Sequence, residues 1–181
     1  ILDSRDKLYR VINARTADIK HVESTKGTCR DMCPEKERLM RVARLQVSSF
    51  ELDEDGEFMD PMRAIKQYSR SSADQEIPLP HELRSDSVLK STMAYLLHNI
   101  MNLCDDDNTQ VGDWFHFIWD RTRGIRKDIT QQELCTPISV ELLEQCVRFH
   151  IHCSGRLIAE DPSVFDQKIN DENLTKSLQT L

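Results

Sequence analysis

Glycine and proline are scarce in this 181-residue chain, at five and six residues. An all-β domain needs a turn roughly every 8–12 residues and the residues that make turns, so this shortage argues against one. No window approaches the roughly 18 consecutive apolar residues of a membrane span, and no membrane association is expected. The chain opens on Ile1 and has no apolar leader, so it is expected to be a segment of a longer protein. The common chemical motifs are missing as well. There is no Gly-rich phosphate loop, no Gly-x-Ser-x-Gly elbow and no His-Glu-x-x-His pair. Carboxylates are plentiful, yet they are scattered or gathered in runs such as Asp53–Glu57, which is how solvated faces look. Neither an enzyme nor a bound cofactor is predicted.

What is present suits a folded domain, or a piece of a larger one. Hydrophobic residues make up 39% and charged residues 30%, with 24 Lys+Arg against 31 Asp+Glu and a formal charge of −7. That acidity disfavours nucleic-acid binding by the whole surface and leaves room for local basic patches. The six cysteines, at 29, 33, 104, 135, 146 and 153, are irregularly spaced in a long chain without a secretion signal. Reduced thiols in a nuclear or cytosolic protein are therefore expected. Cys29 and Cys33 form a plausible zinc half-site, and Cys146, His150 and Cys153 share a helical face. Zinc prefers four ligands in close pairs, so packing is the preferred reading for both groups and no metal is predicted.

Apolar spacing predicts helices throughout. A narrow-striped lead-in covers 3–24 and stops before Gly27. Pro34 opens a second helix, with Glu35 and Glu37 in its first turn and Leu39, Val42, Ala43, Val47 and Phe50 as its buried stripe. Asp60-Pro61 predicts a short helix through Met62, Ile65 and Tyr68. Ile77–Pro80 is predicted as an extended surface segment. Further helices are expected from Ser85 or Asp86 to Cys104, from Val111 into 120–128, from Pro137 to about Glu160, and from near Asn170 with Leu174, Leu178 and Leu181 on one face. The fold class is all-α, with two broad apolar stripes on the Pro137 helix calling for neighbours on both sides, as in stacked hairpins. The last stripe is expected to lie uncovered.

Two basic clusters stand out. Arg38, Arg41 and Arg44, with Lys36 nearby, fall on one helix face at i, i+3, i+6. Arg121, Arg123, Arg126 and Lys127 follow directly on Trp114, Phe115, Phe117 and Trp119. Basic residues interleaved with aromatics suit RNA, whereas pairing with internal acids or with an acidic protein partner suits the net charge better. Pro78–Arg84, with Leu79, Pro80 and His81, reads as a rigid partner-binding strip. Arg148 and His150 are candidates for buried pairing with acids such as Asp120.

The run Gly27-Thr28-Cys29-Arg30-Asp31-Met32-Cys33-Pro34-Glu35-Lys36-Glu37-Arg38 resembles the opening motif of the Sac-three/GANP family. The likeness continues through Ile65–Arg70, Ser71–Glu76, Leu79–Arg84, Asp120–Asp128, Arg148–His152, Asp166 and Asn170–Leu174, in family order. It covers about residues 27–181, with 1–26 as a lead-in helix. The resemblance implies a PCI-type, TPR-like stack of helical hairpins whose winged helix would follow this chain. It implies a scaffold of the nuclear transcription-export complex TREX two, at the nuclear envelope and nuclear pore. The partners it implies are a PCI-domain protein, a small acidic DSS/Sem-type subunit and a DEAD-box RNA export helicase, with pore components reached through other parts of the protein. Gly27, Cys29, Met32, Cys33, Pro34 and Glu37 are then structural. The two basic clusters and the Pro78–Arg84 strip become candidate contacts for the helicase or RNA. An RNA-binding helical domain acting directly on transcripts is the alternative.

Overall fold

The computed structural model describes residues 1–17, 25–70 and 78–181, the side chains of 14–17 excepted. Among the described residues there are six α-helices and no strand, as the composition predicts. They are α1 (Leu2–Ala17), α2 (Glu35–Ala43), α3 (Asp86–Tyr95), α4 (Val111–Gln131), α5 (Pro137–Arg156) and α6 (Gln167–Thr180). α3 continues into a π-helical turn, Leu96–Ile100, and a 3-10 segment, Met101–Asp105. The rest of the predicted first helix, and Ser71–Ile77, lie outside the described residues.

The core forms where α3, α4 and α5 meet. Leu89, Met93, Leu96 and Ile100 face Trp114, Phe115 and Ile118, with Leu142, Cys146, Phe149 and Cys153 from α5. The indole N–H of Trp114 donates to the Ile100 carbonyl at 3.0 Å, so the ring is buried with its polar end satisfied. Phe115 lies 4.9 Å from Phe165, edge to face, which closes the core beneath the α5–α6 connection. Truncating either aromatic to alanine would cost about 3–5 kcal/mol. Burial pushes the Cys146 and Cys153 thiols up to about 12, as befits small core residues.

Several expectations change. On α2 the stripe is inverted: Leu39, Val42 and Ala43 are exposed, and the buried residue is Arg41. The Asp60-Pro61 start gives a single turn, with Ala64 N–H bonded to the Asp60 carbonyl, and the chain then runs extended to Arg70. Four consecutive N–H groups there bond to distant acceptors instead of to a helix. Ile65 donates to Glu51 (2.9 Å), Lys66 to the Met32 carbonyl (3.0 Å), Gln67 to Glu37 (2.7 Å) and Tyr68 to Asp120 (3.1 Å). Tertiary bonds at four positions outweigh a local start signal. Pro78–Arg84 is not a surface strip either, since Leu79, Leu83 and Arg84 are buried.

α5 and α6 form an antiparallel hairpin, because His150 meets Asn170 and Ser154 meets Gln167. Its interface is polar. α6 buries Asn170, Asn173 and Ser177, while Leu174 is half-buried and Leu178 and Leu181 are about half exposed. Arg148 and His150 do not pair with Asp120. Arg148 is exposed and bonds Glu144 one turn back. Asn170 Nδ2 donates to the His150 carbonyl (3.0 Å), leaving Oδ1 to accept from His150 Nδ1–H at 2.8 Å. Burial pushes the His150 pKa below its usual 6.5, and the Arg126 and Arg123 charges add to this against the Asn170 bond. A depressed histidine stabilises the fold above its unfolded pKa, and that stability is lost as pH falls. Urea unfolding should therefore show a stability that declines below about pH 6.5. His150→Gln should flatten the decline between pH 7.5 and 5.5, and an unchanged slope would refute this account.

Candidate functional site

Two buried carboxylates organise the face where α2, the extended segment and α4 meet. Glu51, in a 3-10 turn after α2, accepts from the Arg41 guanidinium and from Arg121 Nη2 at 3.1 Å. Arg121 also pairs with its neighbour Asp120. One turn beyond Gly124, Asp128 accepts from Lys66 Nζ (2.6 Å) and Arg84 Nε (2.8 Å). Burial works against the charged form of Asp128, yet Arg84 and Lys66 outweigh it and hold the carboxyl below the usual range. Glu37 differs. There desolvation dominates and raises its pKa despite the Gln67 N–H bond. Such charges are expensive to bury, and only full pairing offsets that cost.

The Gly27–Pro34 motif locks onto this cluster. Gly27 N–H donates to Gln132 Oε1 (2.6 Å), and Gln132 Nε2 returns to the Arg84 and Asp128 carbonyls. Thr28 and Cys29 donate to Pro80 and Leu83 carbonyls, giving a parallel bridge between Cys29 and Arg84. A Cβ on Gly27 would sit 2.6 Å from the Leu83 oxygen and 2.8 Å from the Arg84 carbonyl carbon. Only glycine permits this approach. Cys29 and Cys33 are buried, Cys29 Sγ–H donating to the Asp31 carbonyl, and burial raises both thiol pKa values. Pro34 is the N-cap of α2, and the Met32 carbonyl anchors the extended segment. Among the described residues, no three His, Cys, Asp or Glu side chains lie together as metal ligands would.

The basic clusters lose most of their predicted exposure. Arg41 and Arg121 are each only 3% exposed and Arg84 is fully buried, all three bound to carboxylates. Arg38 is half-buried against Asp31 and the Cys33 carbonyl, so on the α2 cluster Arg44 alone is exposed. Arg126 turns inward to Ser177 Oγ (2.8 Å) and the Asn173 carbonyl. Arg123 lies between the rings of Tyr68 (3.8 Å) and Trp119 (4.3 Å), and Lys127 donates to the Ser69 carbonyl. His81, beside half-buried Pro78 and Pro80, meets Asp6 of α1 at 2.8 Å, and Lys36 meets the same carboxylate at 2.6 Å. Beside the cluster opens a cleft of about 490 Å³, lined by Ser48, Ser49, Gln67, Asp113, His116, Phe117, Trp119, Asp120 and Arg121.

Sequence reasoning missed Glu51, Lys66, Gln132 and Asp6 as organising residues. Glu51 directly precedes an acidic loop, and nothing in its neighbourhood separates it from solvated carboxylates. Lys66 and Asp128 did lie inside the quoted motifs, and that grouping was the available signal.

Among the described residues this is an all-helical module whose sequence motifs converge on buried ion pairs, which is the arrangement of a structural helical domain. The chain belongs to the SAC3/GANP family, whose profile matches residues 32–181. It is 58% identical to Protein xmas of Drosophila melanogaster over 184 residues, covering 100% of this chain and 9% of that protein. It is 33% identical to SAC3 family protein 1 of Schizosaccharomyces pombe over 152 residues, covering 84% and 14%. To SAC3 family protein B of Arabidopsis thaliana it is 33% identical over 161 residues, covering 83% and 9%. The chain thus spans a small fraction of the length of the curated relatives it matches.

Because Asp128 is buried and answers the buried Arg84 and the half-buried Lys66, Asp128→Asn should cost about 3–5 kcal/mol in urea unfolding at pH 7. Gly27→Ala should also destabilise, by forcing two segments apart. Arg44→Gln, at an exposed site, should stay within about 0.5 kcal/mol. Equal effects at Asp128 and Arg44 would dismiss the cluster as a stabilising centre.

Proposed function

We propose that this chain is a scaffold module of the nuclear transcription-export complex TREX two, working in mRNA export at the nuclear envelope and nuclear pore. In this reading residues 27–181 are the N-terminal helical part of a PCI-type stack that a winged helix completes, with 1–26 as a lead-in. It holds a PCI-domain protein, a small acidic DSS/Sem-type subunit and a DEAD-box export helicase. The observation that carries the reading is that the motif side chains are consumed by internal pairing. A frame fixed in that way suits holding partners in register.

The α5–α6 hairpin supplies a face for the PCI partner. Gln167 bonds Ser154 across the seam, and Ile151 on α5, Ile158 just past its end and Leu178 on α6 are aliphatic residues that the seam leaves over. Ile151, Ile158 and Leu178 are exposed there. The alternative, an RNA-binding helical domain, loses Arg41, Arg84 and Arg121 as phosphate contacts because they are buried. Co-purification with a PCI-domain partner tests the proposal: Ile151→Glu with Ile158→Glu should abolish capture and leave helical content unchanged. RNA affinity of the chain should be weak and vanish at physiological salt. Tight, salt-resistant RNA binding without capture of a PCI partner would favour the alternative.

A further inference from the structure

α4 lends one polar stripe to the cleft beside the Glu51 pairs. Asp113, in its first turn, and Asp120 lie two helical turns apart, roughly 10 Å along one side, with Phe117 between them. All three line the cleft, together with Ser49 of the 3-10 turn that carries Glu51 and Gln67 of the extended segment. Its volume of about 490 Å³ is that of an ordinary ligand site. The helix dipole accounts for an acid in the first turn, and not for one at Asp120. Tyr68 N–H and Arg121 Nη1 both donate to Oδ2 of Asp120, and neither meets Oδ1. That side chain is 24% exposed. Asp113 is exposed, and among the described residues no donor meets its carboxylate.

The charges around the cleft define the occupant. Arg121 is the one cation in its lining among the described residues, and it is 3% exposed and already bound by Glu51 and Asp120. Arg123 touches Trp119, but its guanidinium is held between that ring and Tyr68 and is not part of the lining. The accessible charge of the cleft is therefore negative, in the same sense as the −7 of the whole chain. We infer that the cleft binds a short basic segment of another protein. One cationic side chain meets Asp113 and a second meets Asp120 Oδ1, with their methylenes along Phe117 and Trp119. Trp119 Nε1–H and Arg121 Nε–H are buried in the wall without an acceptor, and a peptide backbone brings carbonyls where a bare polyamine brings none. This goes beyond the export reading and stands without it.

The test uses the 181-residue chain and two labelled synthetic peptides of glycine and serine. One carries two arginines three residues apart, about 10 Å in an extended chain, and its twin carries neutral citrulline at both places. Fluorescence anisotropy at low salt should show the arginine peptide binding at least tenfold tighter than the twin. Asp113→Asn should weaken that binding at least threefold, and Ser49→Trp at least tenfold by filling the cleft, both chains keeping their helical content. Asp55→Asn, at an exposed acid outside the lining, should change nothing. Equal binding of both peptides, or of neither, overturns the proposal. So does binding that survives either Asp113→Asn or Ser49→Trp. A loss with Asp55→Asn equal to that with Asp113→Asn would mark attraction to the acidic surface at large and overturn it too. Spermine displacing the arginine peptide at equal concentration would assign the cleft to a polyamine and overturn the assignment to a protein segment.

Discussion

The fold depends on two carboxylates shut away from water. Glu51 and Asp128 together answer Arg41, Arg121, Lys66 and Arg84, and each of these cations belongs to a different stretch of chain. A buried ion pair adds little net stability over apolar packing, since desolvation consumes most of the Coulomb gain. Its effect here is on register. An apolar contact tolerates a slide of an ångström, whereas a charge left unpaired in the interior does not.

This explains how long irregular segments are fixed without a sheet. Residues 65–68 have no helical or ladder partner, yet every one of their N–H groups is taken by a distant acceptor, three of them carboxylates. The segment presses so closely on α4 that a Cβ at Gly124 would lie 3.1 Å from the Lys66 carbonyl oxygen. Gly27 plays the same part on the other side, where the opening motif enters between Leu83 and Gln132. The two glycines allow close approach, and the charges then hold it.

A polar interior at this end of the molecule leaves aliphatic residues over. α2 attaches through Arg41 and α1 through Asp6, so neither needs its apolar residues for docking, and Leu39, Val42, Leu8 and Val11 face solvent. The other end is arranged in the ordinary way, with aromatics of α4 and α5 packed around Trp114 and Phe115. The α5–α6 seam is again polar, through His150, Asn170 and Ser154. Surfaces of this kind suit a module whose faces are completed by neighbours.

The sequence alone determined the helical class, the six described helix starts within about three residues and most of the α3–α4–α5 core. Those features follow from local periodicity and capping chemistry, such as Pro34, Asp86 and Pro137 at helix beginnings. It also grouped the right motifs, since Gly27–Arg38, Ile65–Arg70, Leu79–Arg84 and Asp120–Asp128 all border the ion cluster. Tertiary structure alone decided which side of α2 is buried, that 64–70 is extended, and that Arg41, Arg84 and Arg121 are internal. The pairs responsible join residues 10, 44, 62 and 70 positions apart. No spacing rule spans such separations, and an arginine that will meet a buried carboxylate has the same local sequence signature as one that will meet water.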